Sequence, residues 1–204
     1  MDTKSHWEQI YTTQAADAVS WYQPHAILSR QLIRAIARDR SAHILDVGGG
    51  ASTLVDDLLA DGMTQVSVLD ISGAALAVAR KRLRTSARRV QWLEGDVTQP
   101  VVPPASIDIW HDRAVFHFLT DPADRAAYVA QVRRAVRPGG HVIVAAFGPD
   151  GPVQCSGLPV VRYAPDALHA EFGDTFELLE HLGEDHHTPM GVIQHFVYCH
   201  CVMH

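Results

Sequence analysis

Several short runs in this 204-residue chain have the residue types and spacing to do chemistry. In the first, the apolar run His43-Ile44-Leu45-Asp46-Val47 carries an acid near its end, Gly48-Gly49-Gly50 follow, and an apolar-periodic segment takes over from Thr53 to Leu59. That order predicts strand, tight turn and helix. Glycines let the backbone come close to a ligand, and the first N–H groups of the next helix point into the same space. A ligand with a polar or charged tail is expected there. In the second run, Gln65 to Leu69 is apolar-rich and ends in Asp70, near the ~20-residue spacing at which an acid at the next strand's end reaches ribose hydroxyls. The alternative for Asp70 is a helix N-terminal acid, although Ser72 is better placed to cap. The third run is His111-Asp112-Arg113, which leaves the strand Ile107 to Arg113 where the carboxyl ends of central strands face a ligand crevice. A histidine there can take a proton from a nucleophile, and Arg113 can hold a substrate carboxylate. Equally, His111 can cap the strand end while Asp112 pairs with Arg113 to fix the turn.

These runs need a scaffold, and the rest of the chain supplies its pattern. From about Ala42 to the C-terminus, strand and helix signals alternate without internal repeats or low-complexity tracts, which implies a mostly parallel sheet covered on both faces. A helix from Gly73 to Arg84 precedes the strand Val90 to Leu93, which runs into Glu94-Gly95-Asp96-Val97. Asp121-Pro122 opens a further helix as N-cap and first position, and Arg137-Pro138-Gly139-Gly140 closes it before the strand His141 to Phe147. From Gly148 to Pro159 the chain forms a Pro- and Gly-rich loop around Cys155, suited to the substrate side of a site. Phe176 to Leu182 and Val192 to Val202 read as two last strands, joined by a loop long enough for an antiparallel hairpin. Ahead of the sheet, Trp7, Ile10 and Tyr11 share one face of a possible helix, followed by Ser20-Trp21-Tyr22 and a helical run from Ala26 to Ala37.

Asp46-x-Gly48-x-Gly50 after a strand resembles the first motif of class I S-adenosylmethionine-dependent methyltransferases, with Ser52 where a further glycine is common. Asp70, the acid at the second strand's end, resembles the second motif, and Asp96-Val97 the third. The resemblance implies a Rossmann-like, doubly wound seven-stranded sheet whose last strand is reversed. It implies one methyltransferase domain over 1–204, with an N-terminal helical lid (1–40), a cofactor-binding core (41–147) and a substrate-side loop and C-terminal hairpin (148–204). S-adenosylmethionine is then the cofactor. Asp46, Gly48 and Gly50 border its methionine part, Asp70 takes the ribose hydroxyls, and Ile71, Asp96, Val97 and Trp110 complete the cofactor contacts. Asp96 is otherwise a common turn residue. Tyr11 and Trp21 become acceptor-pocket residues of a lid, against packing of a terminal helix on the core. His117 and Arg162 are further pocket candidates, against a packing histidine and a surface ion pair. Cys155 either lines the pocket or fills a small buried site.

Composition narrows the function. A formal charge of -6 and a single basic cluster, Arg80 to Arg89, at the end of a predicted helix argue against a nucleic-acid partner. The absence of the Asn/Asp-Pro-Pro-aromatic run after the fourth strand argues against base methylation. No apolar run follows Met1-Asp2-Thr3-Lys4 and no stretch is long enough to cross a bilayer, so a cytoplasmic protein without membrane contact is expected. Three cysteines, Cys155, Cys199 and Cys201, are an odd count that fits a reducing compartment. Cys199-x-Cys201 among scattered histidines lacks zinc spacing, so no metal is expected. Methyl transfer to a small-molecule nucleophile by direct displacement is the leading expectation, with His111 as base if the acceptor arrives protonated. A protein-lysine acceptor and a non-catalytic S-adenosylmethionine-binding module are the alternatives; a nicotinamide-dependent oxidoreductase fits less well, because Thr53 stands where that fingerprint needs its third glycine. Oligomeric state is not legible.

Overall fold

A computed structural model describes residues 3–204; Met1 and Asp2, with which the expected lid segment begins, lie outside the described residues. The apolar runs form β1 (His43–Val47), β2 (Gln65–Asp70), β3 (Val90–Glu94), β4 (Ile107–Arg113) and β5 (Val136–Phe147). Two longer strands, β6 (Phe176–His187) and β7 (Ile193–Met203), close the chain as a hairpin. All seven join one sheet in the order β3-β2-β1-β4-β5-β7-β6. The first five are parallel, β7 is antiparallel to β5, and β6 is antiparallel to β7. Strand order reverses between β1 and β4, which opens a crevice at their carboxyl ends.

Helices α1 (Thr3–Thr13), α2 (Ile27–Ile36), α3 (Leu54–Ala60), α4 (Gly73–Leu83), α5 (Pro122–Ala135) and α6 (Pro165–Ala170) surround the sheet. Strand alternation sorts the interior into two cores. Ile44, Val66, Val68, Ile109 and Ile143 face one way, with Leu54, Leu58 and Ile33 of the helices. Leu45, Leu69, Trp110, Val142 and Val144 face the other, with Tyr128 and Val132 of α5. The same parity puts Asp46 and His111 on the side of Ile44 and Ile109, and Asp112 on the side of Trp110.

Two boundaries differ from expectation: β6 runs on to His187, through most of the expected loop after Leu182, and the end of α5 shifts. α5 ends at Ala135, and Pro138-Gly139-Gly140 lies inside β5, where Val136 already pairs with Ile107 and the register shifts before Ile109 meets His141. Gly139 takes φ +74°, so the glycine serves an irregularity in the strand rather than a helix stop.

α1 contributes no buried residue. Polar contacts hold it: Glu8 accepts from the N–H groups of Gly73 and Ala74 at the start of α4, at 2.7 and 3.2 Å, and Lys4 meets Glu94 at 2.6 Å. A carboxylate at a helix N-terminus satisfies unpaired donors and complements the helix dipole.

Candidate functional site

The site is built at the exit of β4. Trp110 Nε1 donates to the Tyr128 hydroxyl at 2.9 Å, and that hydroxyl donates to Asp112 Oδ2 at 2.7 Å. Asp112 in turn accepts from the N–H groups of Val115 and Phe116 at 2.8 and 3.1 Å, capping the short 3-10 turn Phe116–Phe118. Burial raises its carboxyl to about 6 against those donors. The cap holds Ala114 at φ +77°, a conformation that costs a residue with a side chain, and so aims the residues on either side. On the opposite face, Arg113 donates through Nε and Nη2 to Glu184 Oε2 at 3.0 and 2.8 Å, and through Nε to the Tyr198 hydroxyl at 3.1 Å. Its guanidinium lies 4.2 Å from the centre of the Phe196 ring. The expected alternative, an Asp112–Arg113 pair, is therefore replaced by two separate networks on the two faces of the strand.

A cavity of about 1040 Å³, its open mouth included, runs over the strand ends. Leu69, Asp70, Ile71, Gly95, Asp96 and Val97 line one end, and Arg113, Ala114, Val115 and Cys155 line the other. Trp7, Tyr11, Trp21 and Phe118 line it as well; Trp7 meets Trp21 and Phe118 edge to face, with ring centres 5.6 and 5.1 Å apart, and Tyr11 meets Trp21 the same way. Trp21 Nε1 donates to the Tyr11 hydroxyl at 3.2 Å. Burial, with Asp70 nearby, pushes that phenol well above its ordinary range, so it stays neutral. Burial likewise pushes the Cys155 thiol up to about 11, which leaves it unreactive as a nucleophile.

Asp70 is 8% exposed; Oδ1 accepts from Ser72 N at 2.9 Å, and Gly50 N also donates to the carboxylate. Burial raises it to about 7, with Asp46 and Glu8 adding like charge. Ser72, as expected, is the cap of α4, its Oγ accepting from Ala75 N. Asp96 lines the cavity and also makes the turn: its Oδ1 accepts from Thr98 N and Oγ1, both at 2.8 Å. A second, smaller cavity lies over the glycine turn, lined by Asp46, Gly48, Gly49, Ser52, Thr53, Gln23 and His111. Tyr11, Trp21, Val47, Gly48 and Arg113 line both cavities, so the two meet along that wall.

The glycine turn is also tied to the neighbouring strand: the N–H groups of Gly48 and Gly49 donate to Leu69 O at 2.7 and 3.3 Å, while both residues line the smaller cavity. Gly48 has φ +65°, and a Cβ there would sit 2.0 Å from Val115 Cγ2; one at Gly50 would sit 2.4 Å from Asp70 Oδ2. These glycines let β1, β2 and the β4 exit close on each other. Among the other candidates, Trp110 lies outside both cavities, fully buried against Tyr128, because strand parity turns it toward α5. Arg162 also lies outside them, donating to the carbonyl of Pro149 at 2.7 Å. His117 is buried between Phe118 and Phe147 and lines neither cavity; burial, with Arg113, lowers it to about 3, so it is neutral. Sequence reasoning missed Glu184, Gln23, Val115 and Phe118. Glu184 lies in a different strand from Arg113, and no local spacing announces such a partner. Among the described residues no group of His, Cys, Asp or Glu is arranged to hold a metal, and no helix is long and apolar enough to cross a membrane.

A family model described as a methyltransferase domain matches residues 44–140, the segment from β1 into β5 that carries Asp46, Asp70, Asp96 and His111. By this match the chain is similar to S-adenosylmethionine-dependent methyltransferases over just under half of its length. A malonyl-[acyl-carrier protein] O-methyltransferase of Halalkalibacterium halodurans is 32% identical over 56% of this chain and 42% of its own length. A Bos taurus eEF1A lysine and N-terminal methyltransferase is 26% identical over 68% of this chain and 20% of its own. The chain thus spans less than half the length of these curated relatives. In fold, it is similar to a Burkholderia thailandensis 1,6-didemethyltoxoflavin N1-methyltransferase solved with S-adenosylhomocysteine, at TM-score 0.73 and 18% identity, over 98% of this chain and 86% of that one. The cofactor of this methyltransferase family is S-adenosylmethionine. The residues present suit such a molecule: a buried carboxylate at the end of β2, an apolar slot of Leu69, Ile71 and Val97, and aromatic rings over the space between.

Proposed function

We propose that this methyltransferase moves the methyl group of S-adenosylmethionine to a small-molecule nucleophile by direct displacement, releasing S-adenosylhomocysteine. The observation that carries the reading is the aromatic-roofed cavity with Asp70 at one end and the strained Ala114 beside Arg113 at the other. Asp70 would accept the two ribose hydroxyls. Asp96, Val97 and Ile71 would take the adenine, and Asp46 with the turn at Gly48 and Gly50 would border the amino-acid tail. When bound, the cofactor supplies an electrophilic methyl group on a sulfonium that departs as a neutral thioether. The chain's own work is then to position and to keep water out, because in-line attack at short range in a dry site asks for little else.

Trp7, Tyr11, Trp21 and Phe118 exclude water, and their ring faces favour a cationic sulfur nearby. Arg113 is held by Glu184, which leaves Nη1 as a donor to an acceptor's oxygen. The assay is S-adenosylhomocysteine release over small thiols, amines, carboxylates and halides. Turnover with one class supports the reading. Methyl label appearing only on protein favours the second reading, to which the carrier-protein and eEF1A relatives point. Tight cofactor binding without turnover over all acceptors favours a binding module.

A further inference from the structure

The wall along which the two cavities meet carries two hydrogen-bond donors with nothing to bond, one on Tyr11 and one on Arg113. The Tyr11 hydroxyl accepts from Trp21 Nε1 at 3.2 Å, and its own hydrogen has no acceptor among the described residues. Arg113 uses Nε and Nη2 on Glu184 and Tyr198, and Nη1 has no partner among the described residues. The Arg113 side chain is only 9% exposed, so that donor is held in place. Glu184 lines neither cavity and sits behind the guanidinium, where it also accepts from Gln23 Nε2 at 3.0 Å. On the reading of the preceding subsection, the nucleoside lies in the larger cavity and the amino-acid tail in the smaller one. The sulfur that joins them, and with it the reacting methyl group, then stands at this shared wall beside both donors.

The side chains around that point give hydrogens and take none. Burial keeps the Tyr11 phenol and the Cys155 thiol protonated near neutral pH. His111, the base expected from the sequence, does not line the larger cavity; its Nδ1 is bound to Asp46 Oδ1 at 2.7 Å and its Nε2 is buried. Of the carboxyl groups that line the larger cavity, Asp70 and Asp96 stand at the nucleoside end and Asp124 is exposed to solvent. An amine arriving as ammonium would meet a guanidinium, find no side chain to take its proton, and have no lone pair for attack. An anion needs no base, and it accepts from the two free donors.

We infer that the methyl acceptor is an anion, held by the Tyr11 hydroxyl and Arg113 Nη1 at the shared wall and methylated as it arrives, without a general base. The inference rests on the proposed function and names the acceptor class within it. In the step, the anion's electron pair forms the bond to the methyl carbon while the carbon–sulfur bond breaks toward sulfur, so both products are neutral and no proton moves. The test offers iodide, benzoate and thiophenol, with benzylamine as the cationic control, at saturating S-adenosylmethionine between about pH 6 and pH 9. One or more of the anions should turn over and benzylamine should not. With thiophenol, kcat/KM should follow the thiol's own ionisation, and with iodide, which has no proton to lose, it should be flat. Calorimetry on the S-adenosylhomocysteine complex supplies a readout without turnover. Benzoate should bind there, and Tyr11→Phe should weaken it by about tenfold, the range of one hydrogen bond to a charged group, with S-adenosylhomocysteine itself held within about threefold. The uncharged pair Arg113→Gln/Glu184→Gln should weaken benzoate at least as much; should it fail to fold, Tyr11→Phe decides alone. Benzylamine methylated in preference to every anion, one pH midpoint shared by iodide and thiophenol, benzoate affinity untouched by Tyr11→Phe, or no benzoate binding to the complex overturns the inference. A wild type that does not bind S-adenosylhomocysteine removes the nucleoside reading itself, a result distinct from these.

Discussion

Asp70→Asn tests the electrostatic part of the site most sharply. Burial lifts the Asp70 carboxyl from 3.8 to about 7. The sign follows from linkage: the folded state holds this proton between those values and the unfolded chain does not. The group therefore contributes stability that is fully present below pH 3.8 and is lost as pH rises through about 7. A shift of about 3 pH units at about 1.36 kcal/mol each sets an upper bound near 4 kcal/mol. In the absence of ligand, thermal denaturation should show the wild type losing stability relative to Asp70→Asn between about pH 4 and pH 8, with the asparagine curve flatter. Ligand reverses the preference, since ribose hydroxyls donate to the ionised form. Calorimetry should find S-adenosylhomocysteine bound about tenfold more weakly at pH 6 than at pH 8 by the wild type. In Asp70→Asn, affinity should be independent of pH over that range and lower by about tenfold or more at pH 8. Parallel stability curves together with unchanged affinity would refute both the buried-carboxylate argument and the assignment of Asp70.

Other perturbations reach the supports of the site. Tyr128→Phe removes the hydroxyl that accepts from Trp110 and donates to Asp112, leaving two buried groups short of a partner. Urea unfolding should record a loss of about 2–4 kcal/mol, and a loss below about 0.5 kcal/mol would show that the network does not brace the β4 exit. Glu8→Gln weakens the attachment of α1 to the start of α4. Stopped-flow dissociation of S-adenosylhomocysteine should accelerate by about two- to fivefold, the range of a charge–dipole contact, with the midpoint of global unfolding nearly unchanged. Equal dissociation rates would show that α1 is not what retains the ligand.

What the sequence revealed of the site depended on whether the signal was local. Asp46, Gly48 and Gly50, and then Asp70 and Asp96, stand at strand ends whose apolar runs and turns are readable over a few residues, and each falls at the strand tips. The sheet order with its reversed last strand followed the resemblance. Trp110 failed for a reason that alternation itself contains: a residue one place before His111 must face the other side of the sheet, toward Tyr128. Arg113 was placed correctly at a strand end, but its partner Glu184 is contributed by β6, far along the chain, and no spacing rule connects them. The glycine turn was legible as a turn, while the packing it permits was not. Only the fold shows that Val115 and Asp70 occupy the room those missing side chains leave.

Because α1 lends only half-buried residues to the interior, substitutions in it bear less on the folding of the sheet than substitutions in the strands. Trp7 and Tyr11 can drift in a lineage without endangering the strands below, and with them the time a ligand is retained and the shapes admitted beside it. Divergence in acceptor preference among proteins sharing this sheet should therefore accumulate in the first turns of the chain sooner than at Asp70.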